Sequence, residues 1–215
     1  MSYIAERRVE EKERRRGEIV DAAARLYAEK GWDAVTMDQV ARSARLSRAL
    51  LYVYFRDKEE LLFALGERAM QLQRELFTAA VARHARGVDQ VEAIGRAYMA
   101  YAESYPHYFD ACARFHAHSM SPEPGSNEGA CALAGDAVLG IVVAAIRTGI
   151  ADGSIRADIG DPMLVAVTLW AFTHGVIQLA TTKGTELARF GISVAEFSAY
   201  SLQLMRSLTA PRAVG

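Results

Sequence analysis

Cysteine is scarce in this 215-residue chain, with Cys112 and Cys131 the only two. A secreted disulfide scaffold is excluded, and a reducing compartment is the expected setting. Proline occurs five times and glycine sixteen, too few for a fibrous or low-complexity chain. An excess of one charge is also missing, since 25 Lys and Arg stand against 26 Asp and Glu. No global basic surplus announces a polyanionic partner, so such a partner must show as a local patch. The opening residues, MSYIAERRVEEKERRR, hold no apolar stretch of the signal-peptide kind. Together these absences predict a cytoplasmic protein. Apolar residues are plentiful at 51%, and at this length roughly 70% of the unfolded chain's surface can be buried.

Catalytic signatures are missing as well. The chain has no GxSxG elbow, no GxxxxGK[ST] loop and no GxGxxG between a strand and a helix. Its carboxylates are scattered over polar faces, so neither a catalytic residue nor a cofactor is expected. Cys112 and His116 stand at i, i+4 with His118 close by, but a tetrahedral zinc site needs three or four ligands at recognisable spacing. No metal is expected, and the cysteines read as small buried hydrophobes. The run from Pro162 to Thr182 carries no formal charge and is long enough to cross a bilayer. Thr168, Thr173, His174, Gly175 and Gln178 interrupt it, and no aromatic belt flanks it. A helix buried in a bundle or a subunit contact fits better than a membrane span.

The periodicity is helical from end to end, and an all-α fold of about nine helices is predicted. Ile19, Ala22, Ala23, Leu26 and Tyr27 mark one stripe of a first helix that ends at Lys30-Gly31. Residues 1–12 read as a loose charged arm before it. Thr36 with Gln39 forms a capping box for a short helix to about Ser43, and Ser47 caps another with Leu51 and Phe55 inward. Asp57 with Glu60 opens a long fourth helix carrying Leu61, Leu62, Leu65, Leu72, Leu76 and Phe77. A fifth stripe, Val91 to Tyr105, stops at Pro106, and a short helix is expected over 107–119. Longer helices are expected from about Glu128 to Ala151 and from Pro162 to near Lys183. Ser193 with Glu196 opens the last.

The two short helices are separated by the three-residue turn Ala44-Arg45-Leu46. Capped short helices with a tight turn, braced before and behind, describe a helix-turn-helix unit at about 36–55. Thr36 to Lys58 holds five basic residues (Arg42, Arg45, Arg48, Arg56, Lys58) against Asp38 and Asp57. Arg7 to Arg16 adds six basic residues against three acidic. Such a footprint suits salt-dependent phosphate contacts.

The residues Ile19-Val20-Asp21-Ala22-Ala23, Tyr27-Ala28-Glu29-Lys30-Gly31-Trp32, Thr36-Met37, Val40-Ala41, Leu51-Tyr52-Val53-Tyr54-Phe55 and Lys58-Glu59-Glu60-Leu61-Leu62 resemble the N-terminal domain of TetR-type repressors. The resemblance implies a helix-turn-helix domain over 13–73, a helical ligand-binding and dimerisation domain over 74–215, and a homodimer paired through its last two helices. It also implies a repressor that leaves a palindromic double-stranded DNA operator when a small molecule binds. Thr36, Tyr52, Tyr54 and Lys58 would then touch phosphates, while Ser47, Arg48, Ala49 and Val53 would face the groove, with Arg45 at the same surface. Arg45 and Ala49 stand where such proteins usually carry glycine, and Leu50 where they carry a small polar residue. A second reading is a helical ligand-binding or protein-interaction module whose DNA recognition has degenerated.

Tyr98, Tyr101, Phe115, His116, Trp170 and His174 belong to an aromatic-rich set that the same resemblance places around an apolar or aromatic effector. The uncharged run 162–182 and the stripe Phe197, Tyr200, Leu204, Leu208 are too apolar to face water on a monomer. A two-fold dimer built on them is predicted.

Overall fold

A computed structural model describes residues 3–115 and 122–211, with side chains from Ala5 to Arg114 in the first stretch. All regular structure among the described residues is helical. In order the helices are α1 (Tyr3–Lys30), α2 (Met37–Ser43), α3 (Arg48–Tyr54), α4 (Lys58–Val81), α5 (Gly87–Ser104), α6 (Pro106–Phe115), α7 (Asn127–Ala151), α8 (Pro162–Thr182), α9 (Gly184–Arg189) and α10 (Val194–Thr209). A 3-10 turn, Trp32–Ala34, joins α1 to α2.

Residues 3–12, expected as a loose arm, are part of α1. Nothing in them breaks a helix, and Glu and Arg at i, i+3 and i, i+4 bridge the turns that follow: Arg14 reaches both Glu11 and Glu18, and so does Arg15. Each such pair adds about 0.2–0.5 kcal/mol to an exposed helix. The extra helix is α9, between the two helices the periodicity marks last. It closes with paired Schellman bonds, Ile192 N–H to the Leu187 carbonyl and Gly191 N–H to that of Ala188, both 3.0 Å, with Gly191 at φ 73°. The short helix expected over 107–119 is seen as α6, and residues 116–119 lie outside the described ones.

The chain divides into two compact units. The first contains residues 1–70 and 105–134, so α6 and the start of α7 belong with it, not with a domain beginning at 74. Its core joins Ile19, Ala23 and Tyr27 of α1, Val40 of α2, Leu51 of α3 with Phe55 just after it, and Leu61 and Leu65 of α4, with Ala111 and Cys131 closing it. Burial pushes the Cys131 thiol up to about 12, so it stays protonated and behaves as an apolar filler. A polar network fixes α6. The Tyr27 hydroxyl donates to Asp110 at 2.6 Å, Arg114 donates to Asp110 at 2.9 Å, and Arg114 grips both oxygens of Asp33 at 2.9 and 3.0 Å. Asp33 is held below the usual carboxylate range by that hydrogen bonding.

The second unit contains residues 71–104 and 135–215. Here α5 packs on α8 and α10. The first amides of α5 are satisfied from the loop after α7: Gly87 N–H donates to the Asp152 carboxylate at 2.8 Å and Val88 N–H to the Ser154 hydroxyl at 3.0 Å. Arg206 of α10 pairs with Asp89 and Glu92 of α5 at 2.7 and 2.6 Å. Among the described residues α7 and α8 are the helices long and apolar enough to cross a membrane by length and composition. α8 leaves Leu164 67%, Leu179 47% and Trp170 37% exposed, and α10 leaves Tyr200 and Leu208 exposed.

Candidate nucleic-acid interface

The first unit presents the helix-turn-helix that the capping residues predict. Thr36 accepts from the Gln39 N–H at 3.3 Å while the Gln39 side chain accepts the Thr36 N–H at 3.0 Å. Ser47 accepts from the Leu50 N–H at 3.2 Å, starting α3. Between these caps, α2 ends in a Schellman arrangement. Leu46 N–H donates to the Ala41 carbonyl at 2.9 Å and Arg45 N–H to that of Arg42 at 3.1 Å. Arg45 occupies the left-handed position usually given to glycine, at φ 57°. Left-handed backbone costs a side-chain-bearing residue about 1–2 kcal/mol. Arg45→Gly is therefore expected to raise the melting temperature by a few degrees, since about 1 kcal/mol moves a chain of this size by about 2–4 °C. A thermal melt checks it, and an unchanged or lower midpoint would show that the turn carries no strain.

Only one side of α3 is anchored. Leu51 is fully buried, while Val53 is 74% exposed and Leu50 and Tyr52 about 40%. Ser47, Arg48 and Ala49 are exposed beside them. Tyr54 turns inward and packs against the core cluster, so of the two tyrosines Tyr52 is the one at the surface. The Arg48 guanidinium lies 3.2 Å from Asp38 and 5.6 Å over the Tyr52 ring. Both partners of that ion pair are mostly exposed, so releasing Arg48 costs ~0–1 kcal/mol, less than the ~1–3 kcal/mol of one good base contact. Lys58, expected at a phosphate, is held from within the first unit. Its ammonium donates to the Trp32 carbonyl at 2.6 Å and sits 4.9 Å over the Trp32 ring, and burial lowers its pKa. It ties the start of α4 to the turn before α2. Arg56 is engaged by Asp57 and Glu60. Among the described residues Arg42 and Arg45 are left with exposed, unbridged guanidinium groups on this surface. Sequence spacing gives no sign of Asp38, Trp32 or most of the network through Arg114; only Asp110 and Arg114, at i, i+4, leave a signal.

In the second unit four of the six candidate ligand residues come together. The Tyr98 hydroxyl and His174 Nδ1 share a hydrogen bond of 2.9 Å. Trp170 meets the His174 ring edge-on at 6.3 Å, and Tyr101 lies 6.4 Å from Tyr98 and is buried. Phe77 of α4 packs edge-on against Tyr98 at 6.0 Å. The Phe115 side chain and all of His116 lie outside the described residues. Among the described residues no cluster of His, Cys, Asp or Glu could hold a metal ion.

A short, capped, half-exposed helix braced by three others is the architecture of a helix-turn-helix DNA-binding domain. Residues 19–65 match the family model of bacterial regulatory proteins of the tetR family, and residues 91–200 match the tetracyclin repressor-like C-terminal domain. The chain belongs to the TetR family. Among curated relatives, it is 45% identical over 51 residues to the HTH-type transcriptional regulator HbdR of Aromatoleum sp. (strain CIB), a stretch covering 24% of this chain and 22% of HbdR. The match thus spans less than a quarter of that relative. A protein of unknown function from Rhodococcus sp. RHA1 shares the fold at a TM-score of 0.75 and 24% identity, covering 92% of this chain and 96% of that one. AibR, solved in complex with isovaleryl coenzyme A and operator DNA, shares it at a TM-score of 0.65 and 20% identity, covering 88% and 97%.

Proposed function

We propose that the protein is a dimeric, cytoplasmic transcriptional regulator that represses from a palindromic DNA operator and leaves it when a small apolar or aromatic molecule binds. The observation that carries this reading is the outer face of α3. A seven-residue helix anchored by a buried Leu51 leaves Leu50, Tyr52 and Val53 exposed, an arrangement that serves groove reading better than a monomer in water. Val53 and Leu50 suit thymine methyl groups, and Arg48 suits a guanine. Arg45, Thr36 and Tyr52 serve the phosphates. AibR, which holds operator DNA and isovaleryl coenzyme A in one complex, supports the pairing of operator and effector on this fold.

The effector reading rests on Tyr98, Tyr101, Trp170 and His174, a mostly aromatic group with one polar pair to orient a ligand. Leu61 and Leu65 of α4 sit in the first unit's core, and Phe77 of the same helix touches Tyr98. A ligand that prefers one placement of Phe77 therefore acts on α4. Moving such an equilibrium from 1:99 to 99:1 takes roughly 5.5 kcal/mol of preference. About 200 Å² of extra apolar burial in one state supplies about 5 kcal/mol.

A gel shift on the DNA flanking its own gene, at fixed salt and against random-sequence duplex, tests the function. Arg48→Ala should lower the ratio of specific to non-specific affinity by about 5- to 150-fold, the worth of one bidentate base contact. Arg45→Gln should weaken both together and reduce the salt slope by about 0.9 for each phosphate no longer neutralised. Equal ratios for the two variants would overturn the division of roles. No specific band for the parent would favour a module that has lost its operator.

A further inference from the structure

The helical overhang of α1 carries charges that the DNA-binding reading of α3 leaves unused. Residues 5–14 are exposed on every side, and they precede the stretch matched by the family model. One line along them is purely basic. Arg8, Lys12 and Arg16 follow one another at i, i+4 and lie in line with the core-facing residues Ile19 and Ala23, whereas Glu10, Arg7 and Arg14 fall on the opposite side and Glu6, Glu11 and Glu13 on the flanks. Arg16 is already used: it pairs with Glu67 at 3.1 Å and covers the Phe55 ring at 5.6 Å. Among the described residues Arg8 and Lys12 have no ion-pair partner.

The direction of the overhang follows from three contacts within the first unit. Lys30, at the far end of α1, donates to Gln39 in the first turn of α2. Arg48, at the start of α3, pairs with Asp38 in the same turn. Phe55, just past the end of α3, lies under Arg16. α3 therefore runs back along α1, and the overhang begins where α3 stops. At 1.5 Å per residue, Arg8 lies about 12 Å beyond Arg16, roughly three to four base pairs of DNA length.

We propose that Arg8 and Lys12 form a basic stripe that follows the DNA backbone immediately outside the half-site read by α3. The occupant is the duplex phosphate backbone, because the stripe is itself free of acids and continues past the recognition helix in line with the core-facing residues of α1. A loose arm of mixed charge would have no such facing. The proposal rests on the DNA-binding reading of α3 and extends the site beyond it.

The test uses the full chain and a duplex enriched by the parent protein from a randomised pool. Binding is followed by anisotropy over a series of salt concentrations, with long flanks and with flanks cut at the half-site ends. Arg8→Gln with Lys12→Gln should reduce the slope of log K against log salt by about 0.9 per phosphate, hence about 3.6 for a dimer that gives up two phosphates per protomer. The parent should show the same decrement when the flanks are cut, and Glu6→Gln with Glu13→Gln should leave the slope unchanged. Equal slopes for parent and double variant on long flanks would overturn the stripe while leaving the α3 reading intact. A parent that enriches no duplex would overturn the DNA-binding reading and the stripe with it. Circular dichroism of the double variant should match the parent, which separates weakened phosphate binding from a melted helix.

Discussion

Gly175→Glu is expected to give a folded monomer with no specific DNA affinity. Gly175 sits in α8 with nothing within 4 Å of the position its Cβ would take, so the protomer itself has room for a side chain. Glutamate is also the better helix former, by roughly 0.5–1 kcal/mol, and the isolated protomer should be no less stable. Gly175 falls at helical spacing with Thr168 and Ala171 on the exposed side of α8, flanked by the exposed Leu164 and Leu179. Small residues let a partner helix come close, and the apolar ones gain by being covered. In a two-fold dimer the substitution buries two uncompensated carboxylates. At about 3–5 kcal/mol each, the pair weakens association by at least ~10⁴-fold. A monomer presents one recognition helix, so specific affinity falls with dimerisation. Light scattering at micromolar concentration and a gel shift read both effects. A variant that keeps the parent's mass would place the dimer interface elsewhere.

Gly87→Ala is expected to damage the fold of the second unit. A Cβ at Gly87 would lie 1.9 Å from the Gly149 nitrogen, 2.2 Å from its Cα and 2.6 Å from the Ala145 carbonyl oxygen. All three are backbone atoms, so no side-chain adjustment relieves the clash and α5 must separate from α7. The separation also draws the α5 amides away from Asp152 and Ser154. Overpacking against flexible neighbours costs about 1–3 kcal/mol, and a backbone clash belongs at or above the upper end. About 3 kcal/mol lowers the melting temperature by roughly 6–12 °C for a chain of this size. Gly135→Ala and Gly140→Ala are the controls. Both glycines lie inside α7 with nothing within 4 Å of a built Cβ, so each change should stabilise by about 0.5–1 kcal/mol. If Gly87→Ala melted with these controls, the close approach of α5 and α7 would be disproved.

These two glycines show what a sequence conceals. Gly87 and Gly175 are alike as letters, and only the packed helices reveal that one is required by backbone contact and the other sits in open space. Features set by neighbouring residues are legible. Thr36 with Gln39, Ser47, and Ser193 with Glu196 all cap the helices their spacing announces. The turn at Arg45 is legible through the resemblance alone, which puts glycine at that position, and its backbone is left-handed at φ 57°. Features set by distant residues are not. Lys58 stands at a helix start, which suggests a phosphate ligand, but its partner is the carbonyl of Trp32, 26 positions away. Arg48 looks free in the sequence because Asp38 lies on the preceding helix. A division near residue 73 fails to include α6, since the Tyr27, Asp110, Arg114 and Asp33 network joins positions more than eighty apart. The charged start reads as an arm because mixed charge says little until helical spacing sets one basic line apart.

Enrichment of a randomised duplex pool by the parent protein, followed by sequencing, tests the central claim most directly. The expected product is a near-palindromic inverted repeat whose half-sites lie about one helical turn, or a multiple of it, apart, bound by two protomers or a multiple of two. Arg48→Ala should enrich the same spacing with one position of each half-site relaxed. A pool that stays random, or one that converges on a single asymmetric site bound by one protomer, would contradict it.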